Sequence, residues 1–114
     1  DEYTVYANEE LLKEVWINLI DNAIKFCDRD GTVRIDITEI ENRLLISISD
    51  TGEEIPEEAK ELIFRKFFQV DESHSVAGNG IGLAIVKKIV ELHGGDVTVS
   101  SRNRKTVFTV SLPK

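Results

Sequence analysis

Three groups of residues have the types and spacing for chemistry. At roughly 100° per helical residue, Asn18, Asn22 and Lys25 share a stripe roughly 60° wide, so their side chains can address one ligand. An amide oxygen is a neutral, hard ligand for Mg²⁺, which keeps several waters and takes phosphate oxygens for the rest; Lys25 would offset phosphate charge. Asparagine is a mediocre helix former, so two in mid-helix ask for a reason, the plainer one being a solvated flank beside Glu14 and Asp21. Asp50 shares strand parity with Ile46 and Ile48, which buries a carboxylate if that face is the core. A buried carboxylate needs a partner, and an amino group on a purine ring would serve. Gly52 would let a flat ligand come close, although Asp50-Thr51-Gly52 also reads as a plain turn after a strand. The third group is Gly78-Asn79-Gly80-Ile81-Gly82, whose alternate glycines can turn bare amides toward an anion at the N-terminus of the helix that follows. No Gly-Lys-Ser/Thr follows and no strand-like run leads in, so it is neither a Walker loop nor a dinucleotide fingerprint, and a glycine loop without a ligand is the alternative.

The elements that must position these groups are readable from periodicity. Asn8 is a suitable N-cap for a helix through about residue 26, with Leu12, Val15, Trp16, Leu19, Ile20 and Ala23 on its apolar face. A short alternation, Tyr3 to Ala7, precedes it. Val33–Ile37 and Ile46–Asp50 alternate with period two around a short link at Glu41-Asn42-Arg43, as a hairpin does. Pro56 is expected to start a short acidic helix with Glu57 and Glu58 in its first turn, and residues 69–80 read as a loop. Leu83–His93 reads as a helix stopped by Gly94-Gly95. Asp96–Ser101 and Thr106–Leu112 read as a second strand pair turning at Arg102-Asn103-Arg104. This order gives an α+β, two-layer sandwich: a mixed, mostly antiparallel sheet covered on one face by about three helices.

Composition bounds the answer. A chain of 114 residues with 41% hydrophobic content fits one domain over 1–114. Its net charge of −7 argues against nonspecific binding to nucleic acid or an anionic membrane surface. One cysteine, Cys27, cannot form an internal disulfide, so packing must hold the fold, as in a reducing compartment. No apolar run approaches membrane-spanning length.

Together the motifs resemble the nucleotide-binding catalytic domain of bacterial sensor histidine kinases, within the wider family of gyrase, heat-shock-chaperone and mismatch-repair ATPases. Asn18 to Phe26 is similar to the N box, Asp50-Thr51-Gly52 to the start of the first glycine box, Phe64 to Phe68 to the F box, and Gly78 to Gly82 to the second glycine box. The resemblance implies a Bergerat-type sandwich that binds ATP with Mg²⁺. In it Asp50 would accept from the adenine amino group, Asn22 would ligate Mg²⁺, and Asn18 and Lys25 would contact phosphates as the catalytic pair. Phe26 and Ile55 would line the base pocket, residues 69–79 would form a lid, and Gly52, Lys66, Gly78, Gly80, Ile81, Gly82, Leu83 and Thr106 would complete the binding set.

The resemblance further implies a reaction and partners. Hydrolytic cousins place a glutamate where Asn18 stands, so transfer of the γ-phosphoryl group to a histidine is expected rather than hydrolysis. The acceptor would lie on the dimerisation domain of the same kinase, with a response-regulator receiver domain next in a two-component phosphorelay. His74, in the expected lid, and His93 do not lie in acceptor-like sequence. No nucleic-acid partner is expected; the fragment should be a monomer, its parent a homodimeric sensor, plausibly in the cell membrane, with this domain in the cytoplasm. Three positions depart from the family pattern: Glu54 stands for the second glycine of the first box, Lys105 for a glycine before Thr106, and Gln69 for an arginine. A side chain at 54 is expected to crowd the base pocket or to change the backbone if that glycine needs positive φ. A non-catalytic scaffold domain is the alternative function.

Overall fold

The computed structural model describes residues 8–65 and 82–114. The expected strand at Tyr3–Ala7, and the stretch 66–81 with Lys66, Phe67, Phe68, Gln69, His74, Gly78, Gly80 and Ile81, lie outside the described residues.

Helix α1 spans Glu9–Phe26. The Asn8 side chain accepts from the Leu11 N–H, satisfying one of the orphan donors of the first turn, and Glu9 and Glu10 there suit the helix dipole. Its periodic apolar residues do what their spacing dictates: Leu12, Val15, Leu19 and Ala23 are buried, with Trp16 and Ile20 packed at the core's margin. Strands β1 (Val33–Ile40) and β2 (Arg43–Thr51) form the first hairpin, and β3 (Asp96–Arg102) and β4 (Lys105–Pro113) the second. The second hairpin turns on Asn103 and Arg104, both left-handed at φ 52° and 57°, the turn geometry that matches strand twist. Helix α2, Gly82–Leu92, runs between the hairpins and ends where Gly94 adopts φ 75° and Gly95 N–H returns to the Val90 carbonyl.

The sheet order is β1-β2-β4-β3, with every pairing among the described residues antiparallel, so the expected mixed character is not seen there. Two α-helices, rather than about three, are described; the stretch after Pro56 forms two single 3₁₀ turns, Glu57–Ala59 and Leu62–Phe64. Only Ala59 and Ile63 of these turns are fully buried, with Phe64 partly buried against the core, too short an apolar stripe to sustain several α-helical turns. The α+β sandwich otherwise stands as expected. Both helices lie over one sheet face, whose cross-strand rows Ile48–Phe108–Val99 and Ile46–Val110–Val97 build the core. Under β1 that face stays partly open, with Ile35 and Ile37 about half exposed beside Trp16 and Ile20.

Candidate functional site

The next row on the same sheet face is polar. Register places Asp50 of β2 opposite Thr106 of β4, and Thr106 opposite Ser101 of β3, where the rows below are wholly apolar. All three are buried: Asp50 is 2% exposed, Thr106 4% and Ser101 5%. The two hydroxyls bond each other at 2.7 Å, and Ser101 Oγ accepts the Ile55 N–H at 2.8 Å. Asp50 Oδ1, by contrast, is buried with no hydrogen-bond partner among the described residues. An unpaired buried carboxylate oxygen is costly, and burial followed by the nearby Asp28 charge raises the Asp50 pKa to about 6. Such a group is stored capacity for a donor that the described residues do not supply.

Gly52 brings this corner against α1. A Cβ there would lie 2.2 Å from the Phe26 carbonyl oxygen, and Gly52 bridges to Cys27, just past the helix. The close approach is therefore of strand backbone to helix end, where the sequence suggested approach of a flat ligand. Thr51 carbonyl accepts from Asp28 N–H at 2.7 Å, fixing the same junction. Gly82 does the equivalent at the start of α2, where a Cβ would lie 2.8 Å from Asn18 Oδ1. Asn18 donates its amide to the Glu14 carbonyl at 2.8 Å, so its oxygen is the end left facing Gly82. Asn22 stands one turn further along α1, half-buried, and Lys25, in the last turn, is exposed. Phe26, Ile55 and Leu83 are all partly buried around these elements, and Phe64 meets Phe108 edge to face with centroids 6.1 Å apart.

The structure thus gathers Asn18, Gly82 and Leu83 at one helix–helix contact and Phe26, Asp50, Gly52, Ile55 and Thr106 at one helix–sheet junction. Ser101 belongs with the second group. The signal that reveals it is parity: Ser101 falls on the apolar face of β3 with Val97 and Val99, as Asp50 does on β2.

Glu54 does not have the conformation expected to trouble the pocket. Its φ is not left-handed, and its exposed carboxylate accepts the Arg104 N–H at 3.1 Å. Arg104 also lends its carbonyl to Gly52 N–H and holds Asp28 through two contacts of 2.8 and 3.0 Å, which raises its own pKa. Lys105 needs no glycine conformation either, because Asn103 and Arg104 carry the left-handed angles and Lys105 is already strand. His93 has both ring nitrogens engaged: Nε2 accepts the Asn8 N–H at 3.0 Å, leaving Nδ1 to donate to the Ile89 carbonyl at 2.8 Å. No helix among the described residues is long and apolar enough to cross a membrane.

Residues 7–114 match the family model described as histidine kinase-, DNA gyrase B-, and HSP90-like ATPase. The adaptive-response sensory kinase SasA of Gloeothece citriformis is 39% identical over 111 residues, 96% of this chain but 28% of that protein. Among solved structures, full-length ShkA in complex with AMPPNP superposes with TM-score 0.83 at 32% identity, over 94% of this chain and 22% of that one. Histidine kinase ThkA, in complex with response regulator protein TrrA, gives TM-score 0.84 at 33% identity over 100% of this chain and 31% of that one. The chain spans well under half the length of these relatives. A buried acid at the sheet's end with no partner among the described residues, Asn18 of α1 set against Gly82 and a match over nearly every residue agree: the chain belongs to the histidine kinase-, DNA gyrase B- and HSP90-like ATPases, as a domain of the kind that histidine kinases carry.

Proposed function

We propose that the chain is the ATP-binding catalytic domain of a sensor histidine kinase, which moves the γ-phosphoryl group of ATP to a histidine on that kinase's dimerisation domain. A response-regulator receiver domain would then take the phosphoryl group, in a cytoplasm that supplies the nucleotide. The observation that carries this reading is the buried, partnerless Asp50 Oδ1, an acceptor in need of an exocyclic amino group.

Each residue has a task in that reading. Asp50 holds the base by its amino group, with Phe26 and Ile55 against the ring. Asn18 and Lys25 meet the phosphates, with Lys66 and Gly78, Gly80, Ile81, Gly82 and Leu83 completing the cradle. The donor set at α1 fits Mg²⁺ in one respect: Asn22 offers one neutral oxygen where phosphates and water would supply the other ligands. A bound Mg²⁺ would draw charge from the phosphate oxygens. No carboxylate stands at position 18 to activate water, so the chain's contribution is positioning and charge neutralisation, the usual means of phosphoryl transfer. The Glu54 and Lys105 geometry gives the non-catalytic alternative no support.

Calorimetric titration with ATP and Mg²⁺ tests the reading. Saturable, Mg²⁺-dependent binding that Asp50→Asn abolishes is the expected result. No heat and no thermal shift at millimolar nucleotide would overturn it.

A further inference from the structure

The polar row carries directional information. A serine hydroxyl has one hydrogen and two lone pairs, and one lone pair of Ser101 is taken by the Ile55 N–H. Its hydrogen is buried and needs an acceptor, and among the described residues Thr106 Oγ1, 2.7 Å away, fills that role. Either hydroxyl can donate across this contact; the arrangement in which Ser101 donates is the one that leaves the remaining hydrogen on Thr106, next to the Asp50 corner, where a bound base can accept it. Across β2 and β4 from Thr106 stands Asp50, whose Oδ1 nothing among the described residues satisfies. In that arrangement a donor sits next to an acceptor in a buried row, the two not joined to each other.

That order matches one purine edge and opposes the other. Adenine presents an amino donor beside the N1 acceptor, whereas guanine presents a carbonyl acceptor beside an N1–H donor. We propose that Ser101 is a positioning residue for base selection: by donating to Thr106 it fixes the Thr106 hydroxyl as a donor beside Asp50, so that the row accepts adenine and rejects guanine. The proposal rests on the nucleotide reading of the Asp50 corner. Asp50 alone reads the amino group; Ser101 adds the reading of N1, directly or through one bridging water. Without Ser101 the Thr106 hydroxyl can rotate and serve as donor or acceptor, and half of the discrimination goes.

Affinities of the 114-residue chain for ATP, GTP and 1-deaza-ATP, in which a C–H replaces N1, test this with Mg²⁺ present. In the wild type, loss of N1 should weaken binding about tenfold, the usual consequence of stranding one buried donor. Ser101→Ala should shrink that penalty to under about twofold and relax the rejection of GTP, and Ser101→Thr should restore both. Thr106→Val should abolish the N1 penalty as well, and adding Ser101→Ala to it should change nothing further, since the two act as one relay. Should Ser101→Ala fail to fold, Ser101→Cys keeps the volume with a weaker donor and should lower the same ratio. A lower melting temperature with the full tenfold N1 penalty intact would make Ser101 merely structural and overturn the proposal. If Asp50→Asn leaves ATP affinity unchanged, or the wild type fails to bind ATP, the nucleotide reading itself falls and takes the proposal with it.

Discussion

The corner at the end of β2 and the stripe along α1 face the same proposed ligand from opposite states of preparation. At the corner, Asp50, Thr106 and Ser101 are buried, their register set by nine cross-strand pairs between β2 and β4 and seven between β3 and β4, and the hydroxyls are already bonded. Along α1, Lys25 is exposed and Asn18 and Asn22 are half-buried, with the Asn18 amide bonded to the Glu14 carbonyl one turn back, so the stripe lies nearer solvent than the corner does. In the proposed reading, base recognition would be built into the folded core, whereas phosphate recognition would be finished by the ligand. The difference teaches where substitutions must be felt: the corner couples folding to binding, and the stripe affects binding alone.

Gly52→Ala should break that comparison most violently. With a Cβ at 2.2 Å from the Phe26 carbonyl, strand and helix must part, and urea unfolding should show a loss of about 3 kcal/mol or more. Asp50→Asn should lower ATP affinity at least about 100-fold, or about 3 kcal/mol, by placing an amide against the base's amino group; calorimetry checks it. The same variant sharpens the coupling through pH. The folded-state value of about 6 lies above that of an unfolded aspartate, so the fold holds this proton more tightly. Stability from this group is therefore present below about pH 4 and lost as pH rises to about 6, by roughly 2–3 kcal/mol, with a flat course above. Unfolding free energies at pH 4, 5, 6 and 7 should show that decline in the wild type and lack it in Asp50→Asn. Glu54→Gly should cost about 1 kcal/mol by freeing the Arg104 N–H, with no gain in ATP affinity; a tighter-binding variant would restore the crowding expectation. Asn22→Ala should leave stability within about 0.5 kcal/mol yet remove the Mg²⁺ dependence of binding, which separates stripe from corner.

Local pattern made much of this legible. The Asn8 cap, the apolar face of α1 and the strand alternation all read correctly because each is settled within a few neighbouring residues. The burial of Asp50 was legible for the same reason, as parity with Ile46 and Ile48. Contacts between distant segments were not. Nothing in Gly52 or Gly82 announces Phe26 or Asn18 as the atom in place of a side chain, and nothing local ties Arg104 to Glu54 and Asp28. The helix expected after Pro56 failed for want of tertiary support, since a good first turn cannot propagate without enough apolar surface to bury.

The meeting of Gly52 with the Phe26 carbonyl makes the distance between the end of α1 and the Asp50 corner a main-chain dimension. Core residues can be exchanged for others of similar bulk and the gauge stays fixed, because no side chain stands inside it to swell or shrink. Widening or narrowing it would therefore require shifting a helix end against a strand, a step that exchanges among core side chains do not reach.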